Sequence, residues 1–467
     1  MYKTAGTTKL SDRPLAIPSE RVVRLRSPFL AAVACLAGLL LQGCSSPPHN
    51  PSGGPVVIQY WEKWTGFEGD AMRAVVDAFN RSQSKIRVEM LTVSQIDQKM
   101  LLACAGGNPP DVAGLWSYNV NVYADKNAIL PLDDYLAKAG IVKEDYIPCF
   151  WDMCEYRHKV WALPTTPASL ALHWNKDMFR EAGLDPERPP RTIEELDAFA
   201  EKLTKRDSSG KFIQMGFIPS EPGWWNWSWG YFFGGKLWDG HTKITANCPE
   251  NIRAYRWVRS YSEKYGAQQI QLFRSGFGNF SSPQNAFLSN KVAMEIQGVW
   301  MHNFIEKYAP KLRWGAAPFP YPSDRPDLAN TTIVESDVLV IPNGARHPDE
   351  AFEFIKFVNS QYGMELLNMG QRKFTPLTKV SPEFIRNHPN PYIRVFIDLA
   401  RGKNVYATPE MSIWTEYRDE MNAAFDDIWL GRLTPEEALG RVQARMQKKL
   451  DRELARLRRI GRKGFED

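Results

Sequence analysis

At 467 residues the chain is too long for one hydrophobic core of ordinary size, so two or more folded regions are expected. Its 43% hydrophobic and 24% charged residues are those of a globular protein, but 16 Trp is a heavy load. The net charge of +5 is uneven: residues 1–43 carry +4 and residues 441–467 carry +6, leaving −5 on residues 44–440. The body is therefore mildly acidic, and the overall basic balance gives no argument for nucleic-acid binding.

Arg21, Arg24 and Arg26 flank an apolar run over residues 29–41. That run is short for a bilayer span and fits the core of a secretory signal. It ends in Leu41-Gln42-Gly43-Cys44, which resembles the lipobox of bacterial lipoproteins, where cleavage precedes a cysteine that carries lipid. The expectation is a signal peptide over 1–43, lipidation at Cys44, and a flexible Ser/Pro/Gly-rich tether over 44–55. An ordinary signal peptide with a chance cysteine is the plainer alternative. Beyond the tether lie Cys104, Cys149, Cys154 and Cys248. Cys149 and Cys154 are nearest in sequence, but pairing stays open. Cys149, Cys154 and His158 lack a tight CxxC and a fourth ligand, so no metal or other cofactor is expected.

Residues 56–60 read as a first strand, delivering Trp61, Glu62, Lys63 and Trp64 into a loop. A helix follows, with Met72, Val75, Val76 and Phe79 at i, i+3, i+4 and i+7. Residues 86–91 alternate as a second strand, so the opening is β-loop-α-β and points to a parallel sheet. The turn Gly106-Gly107-Asn108-Pro109-Pro110-Asp111 enters a strand ending at Trp116, with Ser117, Tyr118 and Asn119 on its exit loop. Strand-end loops of this kind are where open α/β sheets hold ligands. Residues 160–164 lead to an apolar strand over 169–174, and Thr192 with Glu195 forms a capping box for a helix.

Between Trp224 and Phe233 seven of ten residues are aromatic, four of them Trp, and no period of 2 or 3.6 contains them. Rings pointing several ways suit a guest with a flat apolar face rimmed by hydroxyls, such as a pyranose. A thick aromatic core helix suits them as well, and the stretch alone does not choose. The helix from Pro435 ends in a basic run from Lys448 to Lys463. A solvated face is the plain reading, and contact with anionic headgroups near the anchor the alternative.

The order of motifs resembles the family-1 extracellular solute-binding proteins of ABC importers, the group that includes maltose-binding protein. The landmarks are Gly107-Asn108-Pro109-Pro110-Asp111-Val112, Leu130-Pro131-Leu132-Asp133-Asp134-Tyr135, Trp174-Asn175-Lys176-Asp177 and Glu181-Ala182-Gly183-Leu184. Phe287-Leu288-Ser289-Asn290-Lys291, Gly298-Val299-Trp300, Leu339-Val340-Ile341-Pro342 and the helix after Asp349 complete them. The resemblance implies an α/β fold of two discontinuous lobes, type II, with the ligand cleft between them and hinge closure. Lobe one is drawn as 56–163 plus 318–372, lobe two as 164–317 plus 373–440, with 441–467 a basic helix and tail. It also implies stacking rings at Trp116, at Trp224 or Trp225, at Trp300 and at Trp414. Trp64 could cap the ligand, while Glu62, Ser117, Asn119 and Glu335 are the candidate polar contacts.

The implied function is a lipid-anchored, extracytoplasmic carbohydrate binder, monomeric and not an enzyme, that serves ABC permease subunits. A non-sugar solute on the same scaffold is the rival; for an anion only Lys63 and Arg372 stand near the loops. An exported glycoside hydrolase, needing two suitably spaced carboxyls, is the third reading.

Overall fold

The computed structural model describes residues 54–279 and 281–459. The signal peptide, Cys44, almost all of the tether, and Arg462 and Lys463 lie outside the described residues. Strand β1 (Val56–Glu62) pairs in parallel with β2 (Ile86–Thr92) from Val56↔Ile86 to Glu62↔Thr92. Its other edge meets β3 (Val112–Trp116) at Tyr60↔Val112. The crossover between β1 and β2 is helix α1 (Gly66–Ser82), which buries Met72, Val75, Val76 and Phe79 as their spacing requires.

Strand β4 (Leu163–Asn175) runs unbroken for 13 residues, all buried, although the sequence suggests a strand only from Ser169. Pro164 and Pro167 offer no N–H to a ladder and argue against a continuous strand. The chain resolves this at an irregularity opposite them, where the register shifts between Ser336 and Val338 of β7 (Thr332–Val340). One half of β4 pairs with β7, which itself pairs antiparallel with β3. The other half pairs with β5 (Met294–Gly298) and β6 (Trp314–Ala317). The eight-stranded sheet thus runs β6-β4-β7-β3-β1-β2, with β5 on β4 and β8 (Val405–Tyr406) on β7.

β4 and β7 are the shared spine of two lobes. One core gathers β1, β2, β3 and α1 with residues 338–341 and helix α3 (Gln361–Gln371). A second gathers the start of β4's far half, helix α2 (Pro249–Tyr265), helix α4 (Trp414–Trp429) and helix α5 (Pro435–Arg459). A third apolar cluster, with Phe150, Phe287, Met301, Phe374 and Phe396, flanks the spine. Thr192 caps the helix Ile193–Leu203 by accepting from Glu195 N at 3.2 Å. Cys104, Cys149, Cys154 and Cys248 are all free thiols. Among the described residues no helix is long and apolar enough to cross a membrane.

A tryptophan-walled candidate ligand cleft

A cavity of about 380 Å³ opens over the irregular stretch of β7, with walls drawn from distant parts of the chain. The first wall grows from the C-terminal ends of β1 and β3. Trp64 and Trp116 meet edge to face, centroids 6.0 Å apart at 87°, and Trp116 stacks on Tyr118 at 5.7 Å and 7°. The opposite wall comes from the aromatic stretch and the end of β5. Trp225 and Trp300 lie 5.9 Å apart and only 27° from parallel, with Trp224 set across Trp225 at 73°. Trp224 is 40% exposed, so the tip of the stretch faces outward, while the 3-10 helix Asn226–Phe233 is buried from Trp227 onward. The sequence alternatives were a sugar platform or a core, and the stretch divides between cavity wall and core.

The floor is polar. Ser336, Asp337 and Glu335 project from β7, Thr166 from β4, Glu68 from the first turn of α1, and Lys373 follows α3. Asp337 receives the Trp64 indole N–H at 2.9 Å and the Thr166 hydroxyl, with Lys63 Nζ 3.0 Å from its other oxygen. Lys373 Nζ is 3.0 Å from Glu68 and 3.9 Å from Asp337. Burial alone would push the Asp337 carboxyl up, but the Lys63 and Lys373 ammoniums and these hydrogen bonds outweigh it and hold it low. Burial likewise disfavours a charged Lys373, and Glu68 and Asp337 reverse the shift to upward. Glu335 differs: burial pushes its carboxyl up against the opposing pull of the Trp225 indole N–H. The two carboxyls of β7 are thus shifted in opposite directions, Asp337 down and Glu335 up.

Trp64, Trp116, Trp224, Trp225, Trp300 and Glu335 come together on this cavity as the sequence suggested. Four other candidates do not line it. Glu62 is buried under the loop, where its carboxylate takes the Tyr60 hydroxyl and the Lys63 and Trp64 backbone N–H groups at 2.7 and 3.2 Å. Ser117 and Asn119 are buried in the turn after β3, and Asn119 Oδ1 accepts from Trp116 N at 3.3 Å. These residues shape the loops that carry the rings. Trp414 is 1% exposed at the start of α4 and packs edge to face behind Trp227 at 4.8 Å, so Trp227 takes the wall position.

Sequence reasoning also missed Glu68, Thr166, Asp337, Lys373, Thr408 and Arg418. Asp337 and Lys373 lie one or two residues from Glu335 and Arg372, which the sequence did single out. Arg372 turns away to Glu306 at 3.4 Å. Arg418 stands 5.3 Å from the Tyr118 ring, so α4 and the β3 loop meet across the cavity mouth.

A curled, two-lobed α/β sheet with a ligand-sized cavity over its shared strands defines a binding protein of the exported solute-capturing class. The family model for bacterial extracellular solute-binding protein matches residues 67–365, and the chain belongs to that family. Among solved structures it is similar to CpMnBP1 with mannobiose bound, at 31% identity and a TM-score of 0.74, covering 83% of this chain and 99% of that one. The same protein with mannotriose bound matches at 32% identity. The MalE domain from Bdellovibrio bacteriovorus bound to maltotriose shares the fold, with a TM-score of 0.69 at 17% identity. A curated relative, the sn-glycerol-3-phosphate-binding periplasmic protein UgpB of Pectobacterium atrosepticum, is 21% identical over 90% of this chain and 95% of its own length.

Proposed function

We propose that this chain captures a short oligosaccharide in the tryptophan-walled cavity and delivers it unchanged to an ABC importer. The observation that carries the reading is the convergence of six Trp side chains from both lobes on one cavity floored by carboxylates and hydroxyls. Indole faces supply contact area to the apolar face of a sugar ring, and the floor supplies directed acceptors for its hydroxyls. A volume of about 380 Å³ suits a di- or trisaccharide better than a polymer. The likeness to a protein holding mannobiose or mannotriose supports mannose-type oligosaccharides as the first ligands to try. Ligand contacts are assigned to Trp64, Trp116, Trp224, Trp225, Trp300 and Glu335, with Trp227 and Thr166 added. Hinge motion about β4 and β7 closes the cleft, with the lobe limits drawn from the sequence.

Hydrolysis fits poorly. Asp337 has both carboxylate oxygens engaged, by Lys63 on one and by Trp64 and Thr166 on the other, which leaves it unsuited to attack a sugar or activate water. A phosphate-bearing solute is the second reading, favoured by Lys373 and Arg418 in the cavity. Against it, Lys373 is already neutralised by Glu68 and Asp337. Titrating Trp fluorescence with mannobiose, mannotriose and sn-glycerol 3-phosphate, then chromatographing the recovered ligand, tests all three readings. Saturable quenching by a saccharide recovered intact is expected; quenching only by the phosphate, or cleaved sugar, overturns the proposal.

A further inference from the structure

Helix α5 turns an apolar face inward, with Leu439, Val442, Met446, Leu450 and Leu454 buried in the second core. At roughly 100° per residue, Arg441, Lys448, Arg452 and Arg459 fall within about 40° of one another on the diametrically opposite side. All four are exposed. Among the described residues none of them forms an ion pair. Their neighbours do pair: Arg445 with Glu420 at 2.9 Å, Lys449 with Glu416 at 2.8 Å and Arg456 with Glu453 at 2.5 Å. Glu437 and Asp451, which flank the row, accept from Thr434 and Gln447 at 3.0 and 2.9 Å, and Glu437 is also drawn on by the charge of Arg441. The row is straight and spans about 27 Å of helix at roughly 1.5 Å per residue.

Such an arrangement opposes solubility design, which intersperses signs, and Lys448 and Arg452 at i,i+4 repel each other. Colinear charges that all point one way can touch a plane at once, whereas a pocket for a small anion needs convergence. The residues between them on the outer face include Ala444 and Ala455 and no large apolar side chain, so contact would be electrostatic and superficial rather than inserted. We propose that this face of α5 rests against an anionic phospholipid surface. The row stands against an acidic remainder of the body, −5 over residues 44–440, and so favours the orientation that turns it towards an anionic surface. The inference stands apart from the identity of the cavity's ligand.

The test uses residues 45–467, which lack the lipid site and contain the compact unit that starts at Gly54. Flotation on pure phosphatidylcholine vesicles is compared with flotation on vesicles one-third phosphatidylglycerol, at low salt. The expected result is a preference on the order of a thousandfold, four surface cations' worth, for the anionic vesicles, fading as salt rises. Arg441→Gln, Lys448→Gln, Arg452→Gln and Arg459→Gln together should abolish the preference with an unchanged melting curve. Arg445→Gln with Lys449→Gln, which removes charge beside the row, should keep most of it. Equal flotation on both vesicles, or a fourfold variant that still prefers phosphatidylglycerol, overturns the proposal. Absence of any flotation also overturns it.

Discussion

Replacing Gly298 by Ala should push the Trp300 indole off its seat. Gly298 ends β5, and a methyl group there would stand 2.3 Å from two ring carbons of Trp300 and 2.6 Å from a third. Carbon atoms settle at about 3.5–4.0 Å, so that edge of the ring must withdraw by more than about 1 Å or the strand must shift. Overpacking of this kind costs about 1–3 kcal/mol of stability. The ring's near-parallel alignment with Trp225, 5.9 Å away at 27°, is lost with the movement. A guest stacked on that pair should then bind about 5- to 30-fold more weakly, equivalent to about 1–2 kcal/mol. Calorimetry with the tightest saccharide, beside thermal melting, reads both effects. Gly440→Ala is the control, because a Cβ at Gly440 in α5 meets nothing within 4 Å. Affinity within twofold of the parent in Gly298→Ala would refute the claim that Gly298 sets a binding platform.

Truncating either platform ring, by Trp225→Ala or Trp300→Ala, should weaken saccharide binding by about 1–3 kcal/mol in the same calorimetric assay; unchanged affinity in both would make them core residues only. Lys373→Met leaves Glu68 and Asp337 buried without their shared cation and should cost about 3–5 kcal/mol in urea unfolding, with a loss below 1 kcal/mol counting against the network. Burial, and then the charge of Glu221, push the Glu295 carboxyl up to about 8. Because its folded value lies above the unfolded value of about 4.5, its stabilising contribution is complete below that pH and is lost as pH rises towards 8. Unfolding free energies from urea titrations should therefore fall across that window by up to about 1.4 kcal/mol per pH unit more in the parent than in Glu295→Gln, and identical slopes would sink the assignment. Cys44→Ser should release the protein from the membrane fraction without touching ligand affinity; continued co-fractionation would remove the lipobox reading.

The parts of the fold that follow from local pattern were legible. The 3.6-residue spacing in α1 and the cap at Thr192 gave their elements directly, and the Gly298-Val299-Trp300 motif placed a ring at the cavity. What escaped was phase. Trp414 begins a helix whose rotation is set by packing on Trp227, and nothing local says whether its indole faces cleft or core. Arg372 adopts φ 57°, ending α3 in a left-handed turn. The next residue, Lys373, then points into the floor while Arg372 faces outward. Asp337 was within reach of the pattern, because strand alternation sets it on the face of Glu335 two residues earlier; the departure is Ser336, which lines the same floor beside the irregularity opposite Pro164 and Pro167. Ser117 and Asn119 follow β3 as the sequence suggested, but Glu62 is the last residue of β1 rather than part of the loop after it, and nearby backbone N–H groups claimed Glu62 and Asn119.

The most direct measurement is calorimetry of residues 45–467 against a panel of mannose-, glucose- and galactose-based disaccharides together with sn-glycerol 3-phosphate. One-to-one binding of at least one disaccharide at micromolar affinity or tighter, weakened in Trp225→Ala, is the expected result. Heat from the phosphate alone, or from no saccharide at millimolar concentration, would contradict a sugar held between the two indole walls.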